Sequence, residues 1–244
     1  MMTTKQTYKT GLGTSDADSI TLLGHDLATE ILGKYSFGEL SYYLITKRRP
    51  TPGQLVMFEA VLASLADHGF TPTAIAARLT YASAPDSLQG ALAAGLLGGG
   101  SRFLGVTEDC AHFLARELKE IGAAPTTQDG WDAAALNAVQ KQKDIGKFVP
   151  GLGHPVHKQG DPRTPVLMAM AREQDLFGSH LSLFEAIGRV HSQVLGKTLP
   201  LNGAGVCGAV LADAGIPMGV MRGVALLARC AGLLGHLVEE QTDP

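Results

Sequence analysis

Residues 151–163 read GLGHPVHKQGDPR and set His154, His157, Lys158 and Arg163 on one short segment with three glycines and two prolines. Glycine and proline at this density hold neither a helix nor a central strand, so the segment is a shaped loop. Imidazole donates and accepts hydrogen bonds near neutral pH, and a guanidinium offers a planar fork to a carboxylate. A loop so equipped suits an anionic small molecule. His154 and His157 also stand three apart, as metal ligands can. The loop offers no adjacent third ligand beyond Asp161, and Pro155 fixes the backbone between the histidines, whereas a metal centre needs three or four ligands in good geometry. No metal is expected.

Other residues invite chemistry more weakly. His68 ends the run LADHG, where a histidine complements the C-terminal end of a helix dipole. Arg229 and His236 stand seven apart on one face of an apolar segment. A buried arginine there calls for an anion, supplied by the protein or by a ligand. GAGVCG at 203–208 matches G-x-G-x-x-G, but KTLPLN before it contains a proline and the stretch 222–238 holds no acid, so a dinucleotide fingerprint is not expected. LGGGSR at 97–102 lacks the Gly-Lys-[Ser/Thr] ending of a phosphate loop.

The elements that must position these groups are helices. In 53–69, Leu55, Phe58, Val61, Leu62 and Leu65 share a face, with Pro52 at the start and Gly69 at the stop. Segments 72–80, 85–97, 107–122, 131–145, 163–177 and 180–195 are predicted helices by the same pattern. Segment 219–240 is apolar nearly all round, which predicts burial in its own domain or against a partner subunit. A short strand pair is predicted near 7–24, and 94–100 and 200–208 are hinge candidates. The 244 residues are 45% hydrophobic and 18% charged, an ordinary globular composition. A net charge of −3 and no basic run beyond Lys47-Arg48-Arg49 argue against nucleic-acid binding. The N-terminus shows no apolar signal core, and no apolar run of membrane-span length is read. Cys110, Cys207 and Cys230 are widely spaced and odd in number, which fits reduced thiols in the cytoplasm.

Together these segments resemble the citrate synthase superfamily. GLGHPVHKQGDPR is similar to its G-x-G-H-x-V-x-K-x-x-D-P-R loop at every fixed position, LLARCAGLLGHLVEE to its closing R-x-x-G-x-x-x-H-x-x-E helix, FGELSYYLITKRRPTPGQ to its early helix and turn, and ADHG to its histidine-bearing helix end. GLLGGGSRFLG resembles the form found in citryl-CoA lyases and in the citrate-synthase-like module of ATP-citrate lyase. Gly98 stands where synthases carry a histidine. The resemblance implies an all-α fold with a large helical domain from 1–103 plus 201–244 and a smaller CoA-facing domain at about 104–200, closing on the site. It implies carbon–carbon cleavage of citryl-CoA, or a close 3-hydroxy-carboxyacyl-CoA, to acetyl-CoA and oxaloacetate.

The resemblance also implies roles. Arg163 and Arg229 would bind carboxylates, and Arg102 would reach substrate or coenzyme A. His154 would hydrogen-bond the oxygen that is hydroxyl in citryl-CoA and carbonyl in oxaloacetate, with His68 on that oxygen or an adjoining carboxylate. Lys147 and Lys158 would meet CoA phosphates, and the backbone of Val149, Gly151, Leu152 and Gly153 its adenine. No tightly bound cofactor is implied, since the CoA thioester is itself the substrate. The implied partners are that thioester and a dicarboxylate, with no nucleic acid and no membrane, and the implied assembly is a homodimer or higher even oligomer. Two departures stand out. Asn202, in PLNGAG, occupies the place of the aspartate that shuttles a proton at the acetyl carbon. It leaves the amide to donate a hydrogen bond, with Asp213 the nearest carboxylate should the register differ. The chain also stops at EEQTDP, where relatives run on into a basic tail. A condensing citrate or methylcitrate synthase and a non-catalytic CoA or dicarboxylate binder remain alternatives.

Overall fold

The computed structural model of the chain describes residues 9–244. The predicted strand pair begins at 7 and the reading of the N-terminus at 1, so both lie partly outside the described residues. Two compact units divide between Thr51 and Pro52. In the first, β1 (Gly13–Ser15), β2 (Ile20–Leu22) and β3 (His25–Asp26) form a small antiparallel sheet in sequence order, so the predicted pair is a three-stranded meander. α1 (Phe37–Thr46) follows, its N-terminus closed by the Ser36 hydroxyl accepting from Glu39 N–H.

The second unit is helical throughout, as expected: α2 (Pro52–Ala66), α3 (Pro72–Ser83), α4 (Leu88–Leu97), α5 (Val106–Ile121), α6 (Gln128–Asp144), α7 (Arg163–Glu173), α8 (Ser179–Leu195), α9 (Gly203–Asp213) and α10 (Met221–Thr242). Seven of these coincide with predicted helices within a few residues, and α10 with the eighth. α9 was not among them, and 203–208 are helical where a hinge candidate is read. Val206, Cys207, Ala209, Val210 and Leu211 are fully buried, so α9 is the centre of the core, packed by α5, α8, α7 and α2.

Local chemistry starts and stops these helices. Thr71 caps α3 ahead of Pro72, and Thr127 caps α6. Asp213, at the end of α9, closes α8 from outside by accepting from the N–H groups of Gly178, His180 and Leu181. Met218–Thr242 has the length and a mean hydropathy of 1.4 that suffice for a membrane span, which corrects the reading that no run is long enough. It nevertheless carries Arg222 and Arg229 and packs on α2, α3 and α4, with Leu233 and Leu237 fully buried, as a core helix does.

Candidate active site

Three residues of α10 fix the end of α2. Arg229 Nε donates to the Leu65 carbonyl (3.2 Å), and His236 Nε2 meets Asp67 Oδ1 (2.9 Å). Gly232 lies so close to the Ala66 carbonyl that a Cβ would overlap it. The chain leaving α2 therefore presents His68 in one place, facing a cleft rather than capping the helix. The cleft is about 550 Å³, and His68, His154, His157, Arg163, Asn202 and Arg229 line it with the exposed Arg102 at its margin. The six residues to which the resemblance gives catalytic or substrate-binding roles, His68, His154, Asn202, Arg163, Arg229 and Arg102, thus lie around one cavity, with His157 among them.

The 151–163 loop is held from behind by Asp161. This carboxylate is 3% exposed and accepts from Arg163 Nε (3.0 Å), Nη2 (2.8 Å) and backbone N–H (3.1 Å), and from Gly203 N–H (2.6 Å). Burial raises its pKa, but the bonds from Arg163 and from Gly203 outweigh that and hold it far below the usual carboxylate range. A Cβ at Gly203 would overlap the Arg163 guanidinium, so glycine lets the arginine lie on the start of α9. Arg163 Nη1 also donates to the Ser64 carbonyl (3.1 Å), which leaves one hydrogen on each terminal nitrogen for a ligand. Arg229 differs. It is 4% exposed, yet its recorded bonds reach only the Leu65 carbonyl and the Thr71 hydroxyl, and no carboxylate among the described residues lies within ion-pair distance. Burial pulls its pKa down, and Arg163 adds to this, while the Asp67 charge opposes it only in part.

His154 has a defined tautomer. Its Nδ1 accepts from the N–H groups of Val156 (3.0 Å) and His157 (2.9 Å), so the neutral ring carries its proton on Nε2. Burial lowers the pKa of both His154 and His68; Asp161 partly opposes this at His154, and Arg163, His157 and Arg229 reinforce it at His68. Both are therefore neutral imidazoles near pH 7. His68, His154 and His157 bring ring nitrogens within 4.8 Å of one another, a spacing that could hold a metal ion. Ligation through His154 Nε2 would move the ring proton to Nδ1, against two backbone N–H donors, so the trio does not fit a metal.

Asn202 is the N-cap of α9. Its Oδ1 accepts from Gly205 N–H (2.8 Å), and its Nδ2 donates to the Gly153 carbonyl (2.7 Å). The amide ties α9 to the loop and keeps one N–H hydrogen free in the cleft. Asp213, the alternative carboxylate, lies elsewhere: it caps α8 and accepts from His180 Nδ1 (2.8 Å). The carboxylate nearest His154 is Asp161, with Oδ2 4.0 Å from Nε2. Sequence reasoning gave it only the place of a spare metal ligand, although D-P-R at the head of a helix is a visible signal.

A second cavity of about 570 Å³ opens beside the first, and His154 lines both. Lys147, Val149, Leu152, Gly153 and Lys158, five of the six residues that the resemblance assigns to CoA, border it. Gly151 does not. It is buried at φ +84°, where a Cβ would strike Phe184 and the Gly205 backbone, so it packs the loop onto α9. The sequence reading missed Lys143, Lys197 and Phe148, the last 93% exposed.

Residues 13–244 match the family model described as citrate synthase, C-terminal domain. Citryl-CoA lyase from Hydrogenobacter thermophilus superimposes with a TM-score of 0.85 at 30% identity, over 98% of this chain and 88% of that one. ATP citrate lyase from Methanothrix soehngenii, solved with citrate and coenzyme A, shares the fold with a TM-score of 0.79 at 22% identity, over 98% of this chain and 40% of that one. Citrate synthase 2 of Bacillus subtilis is 26% identical over 212 residues, 84% of this chain and 52% of that protein. The chain spans about half the length of the curated citrate synthases it matches.

Proposed function

The chain belongs to the citrate synthase family, and on that premise we propose that it is a carbon–carbon lyase cleaving citryl-CoA, or a close 3-hydroxy-carboxyacyl-CoA, to acetyl-CoA and oxaloacetate. The observation that carries this reading is Arg229, a buried cation with no carboxylate at ion-pair distance among the described residues, in a cleft that no aspartate or glutamate lines. A substrate carboxylate supplies the missing charge, and the two free hydrogens of Arg163 take another. His154 then donates its Nε2–H to the tertiary oxygen. That bond strengthens as the oxygen gains charge during cleavage, so it favours the transition state over the ground state. His68 stands beside the same oxygen. Asn202 gives its free amide hydrogen to the enolate oxygen of the departing thioester.

The adjoining cavity suits the rest of coenzyme A. Lys143, Lys147, Lys158 and Lys197 offer exposed charges to its phosphates, and Phe148 a flat apolar face to its adenine. The thioester crosses from one cavity to the other at His154, which borders both. No tightly bound cofactor enters. The division of 1–103 plus 201–244 against 104–200 belongs to the same proposal, supported by the fact that the whole lysine-bordered cavity is built from residues 143–200. A homodimer or higher even oligomer in the cytoplasm completes it. It is supported by the exposed apolar residues Leu234 and Val238 on α10 and by the free thiols of Cys110, Cys207 and Cys230. The test is to supply citryl-CoA and, separately, acetyl-CoA with oxaloacetate. Oxaloacetate release from the first supports the lyase, whereas free CoA thiol from the second with no oxaloacetate released from the first makes the protein a synthase.

A further inference from the structure

Cleavage has to move a proton, because the tertiary hydroxyl loses one and the carbon that becomes the acetyl methyl gains one. No aspartate or glutamate lines the cleft, and Asp161 behind it has both oxygens engaged by Arg163 and Gly203. The Asn202 amide neither takes up nor releases a proton near pH 7. His154 commits Nδ1 to two backbone amides and presents Nε2–H, so it donates without a free lone pair. Two imidazoles remain. His68 and His157 face each other with their Nε2 atoms 3.3 Å apart and their ring planes at 68°. Two ring nitrogens bond at this distance only if one Nε2 carries the hydrogen and the other accepts it. His154 and Asp161 face this pair from the loop, Arg163 from α7, Arg229 from α10, and Arg102 from the segment before α5.

We propose, on the premise of the lyase reading, that His157 is the second acid–base residue of this site, sharing one proton with His68 and carrying a proton from the substrate hydroxyl to the acetyl carbon. The hydroxyl O–H bond breaks and its proton passes to a free nitrogen of the pair. The oxygen's electrons form the carbonyl of oxaloacetate, while the electrons of the breaking carbon–carbon bond enter the enolate of the thioester. The enolate carbon then takes a proton from the pair, which returns to its starting state. No oxidant, reductant or water is consumed.

His157→Gln keeps the hydrogen bonding and removes the titratable nitrogen; His157→Ala opens space for an external base. In both, kcat for oxaloacetate release from citryl-CoA should fall roughly 10²–10⁴-fold, with KM changed by less than about threefold. Added imidazole should restore part of the rate to His157→Ala and none to His157→Gln. Oxaloacetate binding retained by both variants in calorimetry shows that a lost rate is not a lost fold. Wild-type turnover with both variants within about threefold of it overturns the assignment and leaves the lyase reading standing. A wild-type chain that releases no oxaloacetate overturns the lyase reading itself.

Discussion

The two cavities that meet at His154 have nearly the same volume and opposite construction. At the histidine cleft, Arg102 at the margin apart, the charged groups are buried or partly buried and held by bonds from another element: Asp161 and Arg163 by each other and the start of α9, Arg229 by the end of α2. Around the neighbouring cavity four lysines stand exposed, Lys143 with its ammonium on the Val194 carbonyl, and Phe148 projects into solvent. Forked donors in fixed positions suit a small polyanion whose bonds rearrange during reaction. Point charges on mobile chains suit phosphates that need only be attracted and released. Substitutions should therefore act on stability and chemistry in the first region, and weakly and with salt dependence in the second.

The sharpest way to break this contrast is at Asp161. Asp161→Asn leaves the partly buried Arg163 without its counter-charge, and urea unfolding should show a loss of about 1.5–3 kcal/mol. The pH dependence follows in sign. A carboxylate whose native pKa is depressed contributes stability that is complete above its unfolded value of about 3.9 and is lost as pH falls toward the native value. Wild type should show that loss on acidification, and the variant should lack it.

Arg229→Met comes next. Removing one side of a buried charge interaction costs about 2–5 kcal/mol in binding, so calorimetry should record an affinity for citrate lower by roughly 30-fold or more. The unliganded variant should lose only about 1–3 kcal/mol of stability, since relief of the buried charge is set against the unpaired Leu65 carbonyl.

Asn202→Asp should have a smaller effect. The new carboxylate oxygen faces the Gly153 carbonyl where an N–H now donates, so the carboxyl is pushed toward its protonated form. The variant should lose about 1–3 kcal/mol at pH 7.5. That loss should shrink at pH values near the unfolded pKa of about 4, where the protonated carboxyl can donate to Gly153. Lys147→Ala or Lys158→Ala should do least: a roughly twofold to fivefold rise in KM for the CoA thioester at low salt, fading toward 0.15 M salt as the charges are screened, with kcat unchanged.

The same contrast explains what could be read from sequence. The GLGHPVHKQGDPR loop carries His154, Arg163, Lys158 and the lysine-side backbone within thirteen residues, so local pattern sufficed for much of both cavities. The helices were legible because their apolar residues recur at helical spacing and their ends carry capping residues. α9 was not, since a helix buried on every side has no polar face to mark its period, and its glycines looked like a loop. The His68–His157 contact spans 89 residues, and the Gly203–Asp161 bond 42, pairings that no local spacing encodes. A glycine in a binding loop and a glycine packed against a helix, as Gly151 is, look alike in sequence until the neighbouring backbone is in place.

The most direct test of the account is release of oxaloacetate from citryl-CoA by the purified protein beside His154→Ala. The account expects one oxaloacetate for each acetyl-CoA formed by the wild type, and a rate lower by roughly 10²–10³-fold in the variant, as for loss of one donor to the developing charge. Citryl-CoA that binds and is returned uncleaved, or a rate that His154→Ala leaves unchanged, would contradict it.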